Sequence, residues 1–339
     1  MFRGISRLSL FAGSVCLLAA STVFPLHAAD ETIQIKSRLI THFKVGSDET
    51  RFGNFEFVGG LELSSSSASL GAMSAIRLSD DRRNFLGVMD TGFWYAGRFE
   101  RGANGALTGV ADFSISPILD ANGESSNQKW RVDAEGLAVR GDEVLVSFER
   151  NNRVDVYPAK APGSSTPLGS LPLQMPVGEL RGNQGLEALM VAPDASPLKG
   201  DAVVVSERSL NAAGDIYAAI LTGPMKGVFF VKRHAPYDIT DGDFLPNGDL
   251  LLLERRFSIA GGIGMRIRRI DGSRLGPGNL VDGPVLLEAD FGDQIDNMEG
   301  LDVSTDDAGQ IFVTLVSDDN HSILQRNLVL EFRYLSDGE

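Results

Sequence analysis

Acidic side chains recur in this sequence in pairs, one at the start of an apolar segment and one at the end of the next apolar segment. One copy places Glu135 before an apolar run, with Glu149 and Arg150 at the end of the next run. The other copies place these residues in the corresponding positions: Glu187 with Glu207 and Arg208, Asp241 with Glu254 and Arg255, Glu299 with Asp318, and Ser74 with Asp90. Clustered carboxylates suit general acid–base catalysis or the binding of a hard cation such as Ca²⁺.

The segments that carry these acids have the pattern of short β-strands. They alternate or are continuously apolar, and Gly, Pro, Asn and Asp interrupt them every few residues, with no long helical pattern. Four strands per unit, with units starting about 50 to 60 residues apart, predict an all-β fold, a β-propeller with five blades. Residues 32–45 could contribute strands to a sixth blade. A large β-sandwich is the structural alternative, but it would not explain the repeat.

The last unit supplies only three strands. We predict that residues 55–63, which alternate like a strand, provide its fourth and close the ring, because closure removes exposed strand edges.

A propeller of this kind would bring the repeated acids to one rim, since the first strand starts where the second ends. We predict that Glu135, Glu187, Asp241 and Glu299 hold Ca²⁺ or position water. We expect phosphate oxygens to be bound by Arg150, Arg208 and Arg255 if these face the channel. The alternative is structural: polar residues at strand ends also satisfy turns and hold blades together.

Other chemistry finds less support in the sequence. It has no Gly-x-Ser-x-Gly elbow and no phosphate-binding P-loop, and its single cysteine is Cys16. Scarce His and Cys argue against zinc. Among the histidines, His321 follows the acidic end of a second strand and is the best candidate for a catalytic acid or base.

The first 29 residues have the pattern of a secretory signal peptide, with Arg3 and Arg7 before an apolar stretch and a small-residue cleavage point at 27–29. We therefore expect a periplasmic or secreted protein with one domain over residues 30–339, and no membrane association after cleavage. The net charge is −14 and becomes two units more negative without that segment. Such a charge argues against nucleic acid as a partner. We expect a monomer.

The sequence also resembles a known family of exported bacterial proteins, the esterase-like activity of phytase family. The segments that carry the resemblance are 59–63, 73–78, 89–92, 133–137, 147–150 and 183–189. The resemblance implies a propeller-type domain and hydrolysis of phosphate esters or phosphodiesters. It points to these residues as catalytic: Asp90, Glu135, Glu149, Glu187 and Glu207.

Three functions remain open at this point. The first is an exported, Ca²⁺-dependent hydrolase of a small phosphate ester. The second is a lactonase-type propeller in which one Ca²⁺ polarises a carbonyl, with Glu299 as a possible ligand. The third is a non-catalytic propeller whose acidic rim binds a cation or a cationic ligand.

Overall fold

A computed structural model describes residues 31–258 and 261–336. The predicted signal peptide lies outside the described residues. The described chain is all-β, as predicted, and its strands form a five-bladed β-propeller. Within these ranges, no helix has the length and apolarity needed to cross a bilayer.

Four strands precede the first blade: β1 (Glu31–Thr32), β2 (Lys36–Ile40), β3 (Arg51–Phe52) and β4 (Phe55–Ser64). Blade 1 comprises β5 (Met73–Leu78), β6 (Asn84–Met89), β7 (Phe93–Arg101) and β8 (Leu107–Pro117). After the short helix α1 (Lys129–Val132), blade 2 comprises β9 (Ala134–Arg140), β10 (Glu143–Phe148), β11 (Arg153–Pro158) and β12 (Gly169–Leu171).

Blade 3 comprises β13 (Leu186–Val191), β14 (Ala202–Leu210), β15 (Ile216–Ile220) and β16 (Gly227–Val231). Blade 4 comprises β17 (Asp238–Phe244), β18 (Leu250–Ser258), β19 (Gly262–Ile270) and β21 (Val285–Asp290), while β20 (Leu280–Val281) pairs with β16. Blade 5 begins with β22 (Asn297–Thr305), β23 (Ile311–Asp318) and β24 (Asn327–Tyr334). Short 3₁₀ turns occur at Pro162–Ser164, Val177–Glu179 and Gly272–Arg274.

Strand β4 completes blade 5 by pairing antiparallel with β24, so the predicted ring closure is confirmed. Residues 32–45, which could have contributed to a sixth blade, extend existing sheets instead. Strand β1 pairs with β8 at the outside of blade 1, and β2 pairs with β4 at the outside of blade 5. Their pairing protects outer strand edges.

The apolar core is divided among the five interfaces between blades. Between blades 1 and 2, for example, Trp94 and Val88 pack with Leu137 and Val146. Four further clusters occupy the other interfaces, including the one between blades 5 and 1. The first strands of the blades contact one another in sequence around the axis. This packing fixes the axial ends of the first and second strands relative to one another.

A buried arginine fills the channel between the first strands. Arg77 of blade 1 donates to the backbone carbonyls of Leu189 in blade 3, Gly242 in blade 4 and Leu301 in blade 5, and pairs with Asp241 at 3.1 Å. Its guanidinium therefore joins four blades. The channel is closed at this level, which makes the opening at one end a blind cavity.

Candidate functional site

The blind cavity lies at the end of the propeller where the first strands begin. It has a volume of about 180 Å³. Eight carboxylates and two cationic side chains line it: Asp90, Asp133, Glu135, Glu149, Glu187, Glu207, Glu299 and Asp318, with Lys129 and Arg255. Its remaining lining residues are Ser74, Asn183, Asn297 and Asn320. The cavity brings together residues from all five blades.

A β-bulge in the first strand of every blade positions one set of these residues. Each first strand shifts its register with the second strand within its first few residues. The residues at or beside the shifts are Ser74, Glu135, Glu187, Thr240 and Glu299. A bulge turns a side chain away from the regular alternation, and here it directs the acids toward the axis.

A second set lies at the mouth-side ends of the second strands. Its members occupy corresponding positions: Asp90, Glu149, Glu207, Arg255 and Asp318. The first three directly follow the last residue paired with the first strand, whereas Arg255 and Asp318 are themselves paired with Asp238 and Asn297. All five line the cavity. The sequence prediction that strand starts and strand ends share one rim therefore matches the positions of these residues.

Blade 4 departs from the predicted correspondence by one residue. Thr240, not Asp241, occupies the position of Glu135, and its hydroxyl donates to the backbone carbonyl of Met298. Asp241 is paired with Arg77 deeper in the channel and accepts from the backbone N–H of Leu301 at 2.8 Å. The structure therefore does not bring Asp241 to the predicted metal site.

The same offset changes the charge at the end of the second strand of blade 4. Arg255 occupies the position that is acidic in the other four blades. Glu254 points instead into its own blade, where it is buried and paired with Arg266 and Arg268. Its role is structural, because it neutralises two arginines inside the sheet.

Local packing in blade 2 explains why a glycine follows Glu135. A Cβ built on Gly136 would lie 2.1 Å from the backbone oxygen of Glu187. The N–H of Gly136 donates to the Ser147 hydroxyl at 2.8 Å, and that hydroxyl donates to the same Glu187 oxygen at 2.9 Å. The bulge in blade 2 is thus tied directly to the neighbouring bulge in blade 3.

The carboxylates approach one another closely enough to share a cation. One oxygen from each of Asp133, Glu135 and Glu149 lies within 4.8 Å of the others. The same holds for Glu149, Glu187 and Glu207. Two ligands of one Ca²⁺ lie at most about 5 Å apart when each bond measures 2.3–2.6 Å. Both groups therefore have the dimensions of a calcium site.

Burial and mutual repulsion raise the pKa of the cavity glutamates. Burial is the main cause for Glu149, whose pKa rises to about 8 although the Gly185 N–H opposes the shift and Glu207 adds to it. The pKa of Glu299 also rises to about 8 through burial, against the effect of Arg255. The pKa values of Glu135 and Glu187 rise because of burial and neighbouring carboxylates. These shifts reflect negative charge that the protein compensates only in part.

Two fixed cations provide that partial compensation on opposite sides of the cavity. Arg255 lies 3.2 Å from Glu299 and 3.5 Å from Glu207, and donates to the Asn297 side chain at 2.9 Å. Lys129 of α1 pairs with Asp90 and lies 3.4 Å from Asp133. Burial alone would lower the pKa of Lys129, but its hydrogen bond with Asp90 raises that pKa.

Three other predicted site residues lie outside the cavity. Arg150 pairs with Asp133 from the rim, and Arg208 contacts Asp238 at 3.4 Å. His321 is exposed and lines a separate pocket with Phe93. Of the three predicted phosphate-binding arginines, Arg255 lines the cavity, and Arg150 contacts one of its acids from outside.

Sequence reasoning missed five lining residues, namely Lys129, Asp133, Asn183, Asn297 and Asn320. Asp133 immediately precedes β9, the strand that carries Glu135. Its place in the repeat could therefore have predicted it as a lining residue. Lys129 had no such signal, because it reaches the cavity from α1, which is not part of the repeat.

Comparison with known proteins gives one family. The model of the Phytase-like family, described as esterase-like activity of phytase, matches residues 68–321. The chain belongs to the Phytase-like family. The matched range of this Phytase-like chain spans blades 1 to 4 and the first two strands of blade 5, and it includes all eight cavity carboxylates. No curated protein matches the chain.

Proposed function

We propose that this Phytase-like protein hydrolyses phosphate esters or phosphodiesters in its acidic cavity, with Ca²⁺ bound by the cavity carboxylates. The single observation that carries the proposal is the convergence of eight carboxylates from four blades on one blind cavity. The family description supports ester hydrolysis and the phosphate class of substrate. The substrate is expected to be a small molecule.

The donor set fits Ca²⁺. Its atoms are carboxylate oxygens, which hard cations prefer, and the two close groups have calcium dimensions. One buried carboxylate oxygen in these groups, Glu187 Oε2, accepts no hydrogen bond. An unsatisfied buried carboxylate oxygen is unfavourable, and a cation would remove that penalty.

Charge explains why the proposed reaction needs that cation. An anionic phosphate ester would be repelled by the ionised carboxylates, which outnumber Lys129 and Arg255. Bound Ca²⁺ supplies neutralisation of the phosphoryl oxygens and lowers the pKa of a bound water. Glu135 is partly exposed at the mouth, so it can contact a water that enters the cavity. Arg255 contributes a fixed positive charge on the side of Glu299.

The test is hydrolysis of bis(4-nitrophenyl) phosphate by the full chain, with Ca²⁺ and with a calcium chelator. We expect turnover that the chelator abolishes and added Ca²⁺ restores. Full activity in chelator would overturn the metal requirement. Turnover of a simple lactone with none of the phosphodiester would favour lactonase chemistry, and tight calcium binding without turnover of either would favour a binding protein.

We also propose that the protein acts outside the cytoplasm as a monomer. The proposal is supported by the apolar segment after Arg3 and Arg7 and by the acidic composition. Fractionation of expressing bacteria should place the mature protein in the periplasm or medium, beginning near Asp30. An uncleaved cytoplasmic protein would contradict the export proposal, and sedimentation as a stable dimer would contradict the monomer.

A further inference from the structure

The two groups of close carboxylates share one member. Glu149 belongs both to the group with Asp133 and Glu135 and to the group with Glu187 and Glu207. A carboxylate has two oxygens and can therefore contact two cations at once. Glu149 is buried at the end of β10, and the N–H of Gly185 donates to its Oε1 at 2.5 Å. This bond fixes the shared carboxylate between the groups.

The two groups contain buried carboxylates that differ in their partners. Asp133 is 1% exposed, and its Oδ1 accepts no hydrogen bond but lies 3.4 Å from Lys129 Nζ. Glu187 is 6% exposed, and its Oε2 likewise accepts none. Buried polar atoms are normally paired, so the Glu187 oxygen indicates a missing partner in the second group. The first group is supported by the spacing of its three carboxylates.

The fixed cations lie at the outer ends of this array. Lys129 is 3.4 Å from Asp133 on one side, and Arg255 is 3.5 Å from Glu207 on the other. Two of the three remaining cavity acids are engaged by the same cations, because Lys129 also pairs with Asp90 and Arg255 with Glu299. The third, Asp318, accepts from the N–H of Asn320 at 2.6 Å. Among the described residues, only the two groups that share Glu149 have the spacing of a metal site.

We propose that the cavity binds two divalent cations and that Glu149 bridges them. Asp133 and Glu135 complete the first position, and Glu187 and Glu207 complete the second. Lys129 and Arg255 limit the number to two by neutralising the acids beyond each end. The proposal rests on the cation-binding part of the proposed function and is independent of turnover.

Isothermal titration of the full chain with CaCl₂, after removal of bound metal, tests the count. We expect two ions per chain. Glu149→Gln should weaken both binding events at least tenfold. Glu135→Gln should weaken one event by that factor, and Glu207→Gln should weaken the other. Glu143→Gln, on the exposed side of β10 beside Arg140, is the matched control and should bind two ions normally.

One ion in the unchanged protein would overturn the proposal. So would a Glu149→Gln variant that loses one ion and binds the other with unchanged affinity. Far-ultraviolet circular dichroism of each variant shows whether the propeller is folded. If Glu149→Gln is unfolded, Glu135→Gln and Glu207→Gln still decide the matter, because loss of the same single event in both contradicts two positions. Absence of ester hydrolysis with two bound ions would reject the proposed function alone.

Discussion

Arg255 occupies a position at which the other four blades carry a carboxylate. It contacts two buried glutamates, Glu207 and Glu299. Burial alone would lower its pKa, but Glu299 and Glu207 raise it. Arg255 therefore stabilises the two neighbouring glutamates and competes with any cation that the same carboxylates bind.

Replacing Arg255 should therefore change stability and calcium affinity in opposite directions. We expect Arg255→Gln to lower the free energy of unfolding of the metal-free protein by about 3 kcal/mol, because two buried glutamates lose their cation. Calcium should bind more tightly, because a competing positive charge is removed. Urea unfolding in chelator and calcium titration measure the two effects.

Arg208→Gln is the control for that experiment. Arg208 contacts Asp238 at 3.4 Å, and its side chain is 38% exposed. A partly exposed pair contributes at most about 1 kcal/mol, so stability should change little. Calcium affinity should stay the same, since Arg208 does not line the cavity. An equal effect of both substitutions would refute the special role of Arg255.

The bulged first strands are the elements that convert a repeated pattern into a site. In blade 2, the bulge depends on the close approach of Gly136 to the backbone of Glu187. A change at this contact would displace two cavity strands at once, because Ser147 joins the same two bulges.

We expect Gly136→Ala to destabilise the protein by about 2 kcal/mol, since its Cβ would overlap a backbone oxygen that cannot rotate away. Calcium affinity should also fall, because Glu135 and Glu187 would both be displaced. Thermal unfolding and calcium titration measure these effects. Gly182→Ala, at a position with open space around it, should change neither. A fully stable Gly136→Ala protein would show that the contact is not essential.

Local pattern was sufficient to predict the strands, the five units and the closing strand β4. These features depend on alternation, turn residues and the need to pair an edge. The register of blade 4 was not predictable in the same way. Asp241-Gly242 matches Glu135-Gly136 in sequence, yet the bulge and cross-strand pairing place Thr240 at the site. Register of this kind depends on contacts with other blades, which a single segment does not contain.

At the scale of the whole molecule, Arg77 joins blades that are distant in sequence. It is buried, and its partner Asp241 is 1% exposed. We expect Arg77→Met to lower the free energy of unfolding by about 3 to 5 kcal/mol, because it leaves a carboxylate buried without its cation. Urea unfolding measures this effect.

The double variant Arg77→Met with Asp241→Asn should recover part of that loss, since no uncompensated charge remains. The size of the recovery gives the coupling between the two side chains. Additive effects of the two substitutions would contradict a direct stabilising pair.

The pH dependence of stability also belongs to the whole molecule. The pKa values of Glu149 and Glu299 are about 8 in the folded protein, against 4.5 for an ordinary glutamate. The folded state therefore holds protons that the unfolded chain has released, and stability should fall as the pH rises from about 5 to about 8. We expect a loss of about 2 kcal/mol or more in chelator. Calcium at pH 8 should reverse it.

Thermal unfolding between pH 5 and pH 9, with chelator or with CaCl₂, checks this expectation. The variant Glu149→Gln should show a shallower decline in chelator, because one of the two titrating groups is absent. Stability that rises with pH in chelator would contradict the raised pKa values.

The pairing of β4 with β24 has a consequence for folding of the protein. It joins residues 55–63 to residues 327–334, so one edge of an early strand stays unpaired until the distant strand β24 is available. A strand with an unpaired edge can pair with another chain. The chain is therefore most exposed to aggregation until β24 is in place, and shielding of Phe55–Ser64 up to that point favours a correctly closed propeller.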